Sequence, residues 1–284
     1  MRIETITSAQ NPKIKNLLLL QEKSKARREQ GLFVVEGRRE LEHCLEGGYE
    51  IRTLFVCPEI IDASSVSDLL SCHSERDAPS VSNLLSCHSE RSEESLLVEI
   101  PLELYKKVAY RESTEGIIAE VAYKERTLED LQLPENPLIV VLESVEKPGN
   151  LGAVLRSADA AGAHAVLIGD PLTDLYNPNL IRASIGAVFT VPVVAAASAQ
   201  IISFLKERGI QILTAQLQDS SLYYDVDMHR GTAIVMGTES TGLTSIWREA
   251  ATAHIRIPML GRLDSLNVSV SAAILLFEAV RQRV

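Results

Sequence analysis

At 284 residues, 46% hydrophobic and 23% charged, the chain has the composition of a soluble globular protein with one large or two modest cores. No apolar run reaches the roughly 20 residues needed to span a bilayer. The first fifteen residues hold no apolar core of signal-peptide length, so a cytoplasmic protein free of membrane is expected. The formal net charge of −10 argues at first against nucleic acid, but residues 1–39 carry nine Lys and Arg against four Glu, a net of +5 that leaves −15 for the rest. A basic segment on an acidic body suits a phosphate-binding arm, with Lys13, Lys15, Arg27, Arg28 and Arg38 as candidate contacts; the same charges also suit a solvated helix face.

In chain order, Asn11-Pro12 reads as a helix cap followed by proline at the first helical position. That helix turns Ile14, Leu17 and Leu18 inward and Lys13 and Lys15 toward solvent. Residues 21–30 continue as a polar helical stretch up to Gly31. Leu32–Glu36 and Thr53–Cys57 read as strands around a helix over Arg38–Glu46. The segment Ser65–Arg76 recurs as Ser80–Arg91, with only Asp68 and Asn83 different. A 15-residue period of such identity fits a recent duplication rather than a solenoid, and the serine-rich 65–91 stretch is expected to form a poorly ordered loop insertion.

Cys44, Cys57, Cys72 and Cys87 are too irregularly spaced for a disulfide framework, so reduced thiols are expected. The pairs Cys72-His73 and Cys87-His88 invite a metal reading. Adjacent Cys-His is not a chelating spacing, however, and no metal is expected.

Strand pattern resumes at Leu96 and again at Gly116–Ala122. Residues 124–137, acidic and holding Pro134 and Pro137, read as a linker between a domain over 1–123 and another over 138–284. The second domain shows strict alternation. Apolar strands at 138–142, 165–168, 211–213, 233–236 and 254–257 are separated by helices near 150–161, 198–208 and 268–283, which predicts a mostly parallel α/β sheet with helices on both faces.

Ligands of such sheets sit beyond the carboxyl ends of strands, and three polar turns fall there. None carries G-x-G-x-x-G, and the chain has no P-loop, so dinucleotide and NTP readings are weak. The first turn, Glu146–Asn150, places Asn150 as cap of a helix beginning at Leu151, with Arg156 roughly 9 Å further along the axis. An Arg there can grip a phosphate bidentately or be an ordinary surface residue. The second turn sets Gly237 and Gly242 around Thr238 and Glu239; its glycines let backbone amides approach a ligand, while Glu239 alone would suit a helix start. The third, Asp264–Asn267, puts Ser265 and Asn267 on one loop before the last helix. A fourth segment adds Arg182 and Ser184 near another strand end.

Taken in order, Asn150/Gly152/Arg156, Gly237/Glu239/Gly242 and Pro258/Met259/Gly261/Ser265/Leu266/Asn267/Val268/Ser269 resemble the three motifs of the SpoU/TrmH family of RNA ribose 2′-O-methyltransferases. The resemblance covers about 137–284. Residues 1–122, with Asn11-Pro-Lys-Ile-Lys and Gly31-Leu-Phe-Val-Val-Glu-Gly, are similar to the small α/β (L30e-like) substrate-binding domain of the rRNA-modifying branch; the 65–91 repeat departs from it. The resemblance implies a deep trefoil knot at the C-terminal end, an exception to the rarity of knots. It also implies a homodimer through the C-terminal domain and an RNA substrate. S-adenosylmethionine would be held largely by backbone groups of loops that include Met236, Gly237, Thr238, Gly242, Ile257, Met259, Gly261, Leu266 and Asn267. It casts Arg156 as the group that holds the neighbouring phosphate and assists the hydroxyl, with Asn150, Glu239, Ser265 and Asn267 orienting it. Arginine is hard to deprotonate, so the base stays open. Lys13, Lys15, Arg27, Arg28, Arg38 and Arg182 become candidate RNA contacts. The separate N-terminal domain favours rRNA; tRNA, or an RNA-binding homologue without activity, are the alternatives.

Overall fold

The computed structural model describes residues 2–71, 96–110, 115–238 and 241–284. It divides into two compact units, the first formed by Met1–Lys124 with Tyr176–Pro178, the second by Glu125–Leu175 with Asn179–Val284.

The first unit runs β1 (Arg2–Thr5), α1 (Pro12–Glu22), α2 (Ser24–Gln30), β2 (Leu32–Glu36), α3 (Arg38–Glu46), β3 (Ile51–Val56), α4 (Ala63–Ser71), β4 (Leu96–Glu99), α5 (Leu102–Val108) and β5 (Ile117–Ala122). Its five strands lie in the order β1-β4-β3-β5-β2, with β5 antiparallel to both neighbours. Asn11 caps α1 as expected, its side chain accepting from Lys13 N at 2.9 Å, with Pro12 in the first turn. Ile14, Leu17 and Leu20 enter the core beside Phe55, Val98 and Tyr105, and Leu18 packs at its edge.

Three expectations change here. The polar stretch after α1 is not one continuous helix: Lys23 is extended, and a second short helix follows, closed by Gly31 in the left-handed region (φ 61°). The break leaves carbonyls at the end of α1 without helical partners, and Arg27 turns inward to meet them. Its Nη1 donates to Leu20 O at 2.6 Å and Gln21 O at 3.1 Å, and the residue is only 2% exposed. Arg27 is therefore a buried structural residue and not an RNA contact. The start of the 65–91 repeat is also ordered. Residues 65–71 belong to α4, which buries Val66 and Leu69, a pair at helical i, i+3 spacing that the serine-rich composition concealed. The rest of the repeat, with Cys72, His73, Cys87 and His88, lies outside the described residues. Cys44 and Cys57 are free thiols; both are buried, and burial pushes each thiol up, leaving little thiolate.

The second unit runs β6 (Leu138–Glu143), α6 (Pro148–Ala160), β7 (Ala165–Gly169), α7 (Pro178–Ser184), α8 (Ala187–Thr190), β8 (Val193–Ala196), α9 (Ser198–Glu207), β9 (Gln211–Ala215), β10 (Ser221–Leu222), β11 (Thr232–Met236), α10 (Ser245–Ala250), β12 (Ala253–Arg256) and α11 (Val268–Arg283). All strand pairs are parallel, in the order β10-β12-β9-β11-β6-β7-β8. Alternate residues of the strands (Ile139, Val141, Leu167, Ile212, Val235) join Ile201, Leu205 and Trp247 of α9 and α10 in one core cluster. Helices α6 and α11 pack on each other and on β7 and β11. The stretch 124–137, read as a linker, sends Leu128 and Leu131 into this core, so most of it is part of the second unit. Among the described residues no helix is long and apolar enough to cross a membrane.

Candidate functional site

A parallel sheet collects every strand's carboxyl end on one edge. The turns after β6, β11 and β12 leave that edge from strands that lie within four places of one another, β12-β9-β11-β6. Three segments spread over about 120 residues are thereby gathered at one place.

The first turn differs from its expected form. The α6 helix begins at Pro148 with Lys147 at the cap position and no side-chain cap bond, so Asn150 lies inside the first turn and is not the cap. Proline at the first helical position explains the earlier start, since its fixed φ and missing N–H suit it. The Asn150 side chain is left to reach outward, and its Oδ1 accepts from Asn267 Nδ2 at 3.1 Å. Asn267 in turn caps α11: its Oδ1 accepts from Ser269 N at 3.0 Å and Ser269 Oγ at 2.6 Å. One asparagine thus starts the last helix and ties it to the start of α6. Arg156 is exposed on α6, and Gly152 explains how that helix is seated: a Cβ there would lie 2.5 Å from Ala183 Cβ and 2.8 Å from Ser184 N of α7.

The second turn closes on itself. Gly242 N donates to Thr238 O at 3.0 Å, the Thr238 and Thr241 hydroxyls meet at 2.7 Å, and Gly242 has φ 67°. A Cβ on Gly237 would sit 2.3 Å from the Gly242 carbonyl, so the loop needs glycine at both ends. Met236, at the end of β11, is 3% exposed, which leaves its backbone rather than its side chain to face the turn. Glu239 lies outside the described residues.

The third turn borders an open cleft of about 150 Å³, lined by Ile257, Met259, Ser265 and Leu266 together with Ala215 at the end of β9, Gln216 and Leu217 beyond it, and Arg256. Gly237, Thr238, Gly242 and Gly261 do not line it; a Cβ on Gly261 would meet nothing within 4 Å. Ser265 Oγ donates to Asp264 at 3.3 Å. The 215–217 contribution went unread in the sequence. Its signal was present, an apolar strand running into Gln-Leu-Gln-Asp-Ser, but without a glycine to mark it.

Of the basic candidates, Lys15 and Arg28 are exposed, Lys13 pairs with Glu4, Arg38 pairs with Glu42 at 2.9 Å, and Arg182 is exposed in the last turn of α7.

Similarity to known proteins agrees with this layout. Residues 137–277 match the model of the SpoU rRNA Methylase family, and 11–119 match an MRM3-like substrate binding domain. The 23S rRNA (guanosine-2'-O-)-methyltransferase RlmB of Escherichia coli is 42% identical over 176 residues, 60% of this chain and 72% of that one. A crystal structure of an RNA 2'-O ribose methyltransferase superposes with TM-score 0.79 at 38% identity, over 98% of this chain and 99% of the other. An AdoMet-bound rRNA methyltransferase from Sinorhizobium meliloti gives 0.83 at 28% identity, over 98% of both. The fold is that of an α/β RNA methyltransferase. The chain belongs to the SpoU rRNA methylase family.

Proposed function

We propose that this chain transfers a methyl group from S-adenosylmethionine to a ribose 2′-hydroxyl of 23S rRNA, on a guanosine as in its 23S rRNA (guanosine-2'-O-)-methyltransferase relatives. The observation that carries the reading is the 3.1 Å bond between Asn150 and Asn267, which draws the first and third turns together beside an open cleft.

The site suits the cofactor. The cleft offers apolar walls from Ile257, Met259 and Leu266 and polar groups from Ser265 and Gln216. When bound, S-adenosylmethionine supplies an electrophilic methyl on a sulfonium. The chain's own residues then have two tasks. A ribose hydroxyl is a poor nucleophile near neutral pH, so it must be aligned and must lose a proton as it attacks. Arg156, exposed on α6, holds the adjacent phosphate and favours the developing alkoxide by charge; Asn150, Asn267, Ser265 and Glu239 orient it and the ribose. Lys15, Arg28 and Arg182 supply exposed charge for RNA phosphates, with Lys13 and Arg38 as weaker partners because each already faces a glutamate.

A homodimer through the second unit belongs to the same reading, supported by the exposure of Leu260 (97%), Leu263 (75%) and Phe277 (48%). So do the trefoil knot at the C-terminal end and a cytoplasmic location.

The test is transfer of labelled methyl to unmodified 23S rRNA and tRNA, followed by alkaline hydrolysis. A 2′-O-methyl blocks cleavage of the adjacent phosphodiester, so label in an alkali-resistant dinucleotide from 23S rRNA is the expected result. Label in mononucleotides would mean base methylation, and label only in tRNA would move the substrate.

A further inference from the structure

Gln216 follows Ala215, the last residue of β9, and lines the cleft together with Ile257 and Met259. Its backbone is fixed against β12. Gln216 N donates to Ile255 O at 3.0 Å, while Ser220 Oγ donates to Leu217 O at 2.8 Å and accepts from Arg256 Nη1 at 3.4 Å. The side-chain amide is oriented as well. Its Nε2 donates to Gln218 O at 2.9 Å, and a flipped amide would set two oxygens against each other, so the acceptor end has one direction. That acceptor, Oε1, is shielded from water and has no hydrogen-bond partner among the described residues. An unmet buried acceptor costs free energy that an apolar side chain of similar size would not. The terminal torsion of a glutamine is broad, so a small rotation presents Oε1 to a donor in the cleft while the backbone stays in place.

S-adenosylmethionine carries donors of three kinds: the exocyclic amine of its adenine, its ribose hydroxyls and its ammonium. The surroundings of Gln216 choose among them. Leu217, Ile257 and Met259 give the cleft apolar walls suited to a flat heterocycle, whereas Asp264, a carboxylate on the third turn, is the group that would draw the ammonium. We infer that Gln216 is a specificity residue for the cofactor: its side-chain carbonyl accepts from the adenine amine, and the held orientation of its amide rejects an oxo group at the same position. This rests on the cofactor assignment proposed above and names the part of the cofactor that the chain reads.

The test is calorimetric binding of S-adenosylhomocysteine and of S-inosylhomocysteine, in which an oxo group replaces the amine. Both are measured on the full chain and on the variants Gln216→Met and Gln216→Asn, with thermal melting of each free chain. The parent should prefer the adenosyl ligand by about tenfold or more, because the oxo group faces an acceptor that cannot turn over. Gln216→Met, close in size but without the acceptor, should lose about tenfold for the adenosyl ligand and little for the inosyl one. Gln216→Asn, one methylene short of the contact, should follow it. Free Gln216→Met should melt no lower than the parent, since it removes an unmet acceptor and Gln218 is exposed, leaving its carbonyl to water. A parent that binds both ligands alike would overturn the inference, as would a preference that survives in both variants. Equal loss for both ligands would make Gln216 a plain part of the wall and overturn it too. If the parent binds neither ligand nor S-adenosylmethionine, the cofactor assignment itself is wrong and the inference falls with it.

Discussion

The basic side chains of the first unit and the polar turns of the second are deployed differently. In the first, the basic residues that stand out in the sequence are spread over separate helices and several are engaged locally: Arg27 on the carbonyls of α1, Arg38 on Glu42, Lys25 on Glu29 at 3.7 Å. In the second, residues more than 100 positions apart, Asn150 with Asn267 and Glu143 with Thr244, meet at one sheet edge. In the first unit β5 alone runs against its neighbours, whereas all seven strands of the second are parallel and send every strand-exit loop to one edge. A site needing several loops arises readily on such an edge.

The sharpest test of that contrast is Arg156→Ala. Removing an exposed side chain costs little stability, so transfer should fall by about a thousandfold or more, the scale of losing a preorganised electrostatic group, while cofactor affinity stays within a few-fold. Simultaneous loss of both in a binding and turnover assay would remove Arg156 from its assigned role. Next in size is Gly152→Val. Its Cβ alone would intrude to 2.5 Å of Ala183 Cβ, so α6 must move off α7, at a cost of about 1–3 kcal/mol in chemical denaturation. Because α6 carries both Asn150 and Arg156, activity should fall further than that loss of stability explains. Normal activity in the folded variant would show that the seating of α6 is not critical.

The first unit makes the complementary prediction with two adjacent arginines. Arg27→Ala strips two carbonyls of a buried cationic donor and should destabilise the protein by about 2 kcal/mol, with no change in the salt dependence of RNA binding. Arg28→Ala should do the reverse: melting unchanged, and the slope of log affinity against log salt reduced by about one phosphate's worth. If both variants behave alike, the division between structural and contact arginines fails.

That pair also shows what was legible in the sequence. Charge counting cannot separate Arg27 from Arg28, because the difference arises where α1 stops at Glu22 and its carbonyls need donors. The strands of the parallel sheet were legible because both faces are buried, which leaves unbroken runs such as Leu138–Leu142. Strand β8, following Pro192, and the six-residue helix α10 were too short to carry a period. The glycine-marked turns were found, and the glycine-free 215–217 turn was not. Glu143 was hidden for another reason. A carboxylate at the end of an apolar run reads as the polar boundary of a strand, and only the fold brings Thr244 to it.

The smallest expected effect is a pH dependence seated in the second unit's strand entry. His164 N donates to Leu138 O at 2.8 Å while its ring Nδ1 accepts from Leu138 N at 3.0 Å, so the imidazole holds the first residue of β6 in its neutral form. Burial, aided by the charge of Arg283, keeps the group below its ordinary value of 6.5. The unfolded chain therefore binds this proton more readily than the folded one. The contribution of His164 is complete above pH 6.5 and declines as pH falls from there through the depressed folded value. Melting temperature measured from pH 8 to pH 5 should thus drop more steeply for the parent than for His164→Gln, whose side-chain oxygen can still accept but does not titrate. Parallel curves would mean that the ring takes up its proton without losing the Leu138 bond, and would place the acid sensitivity of the unit elsewhere.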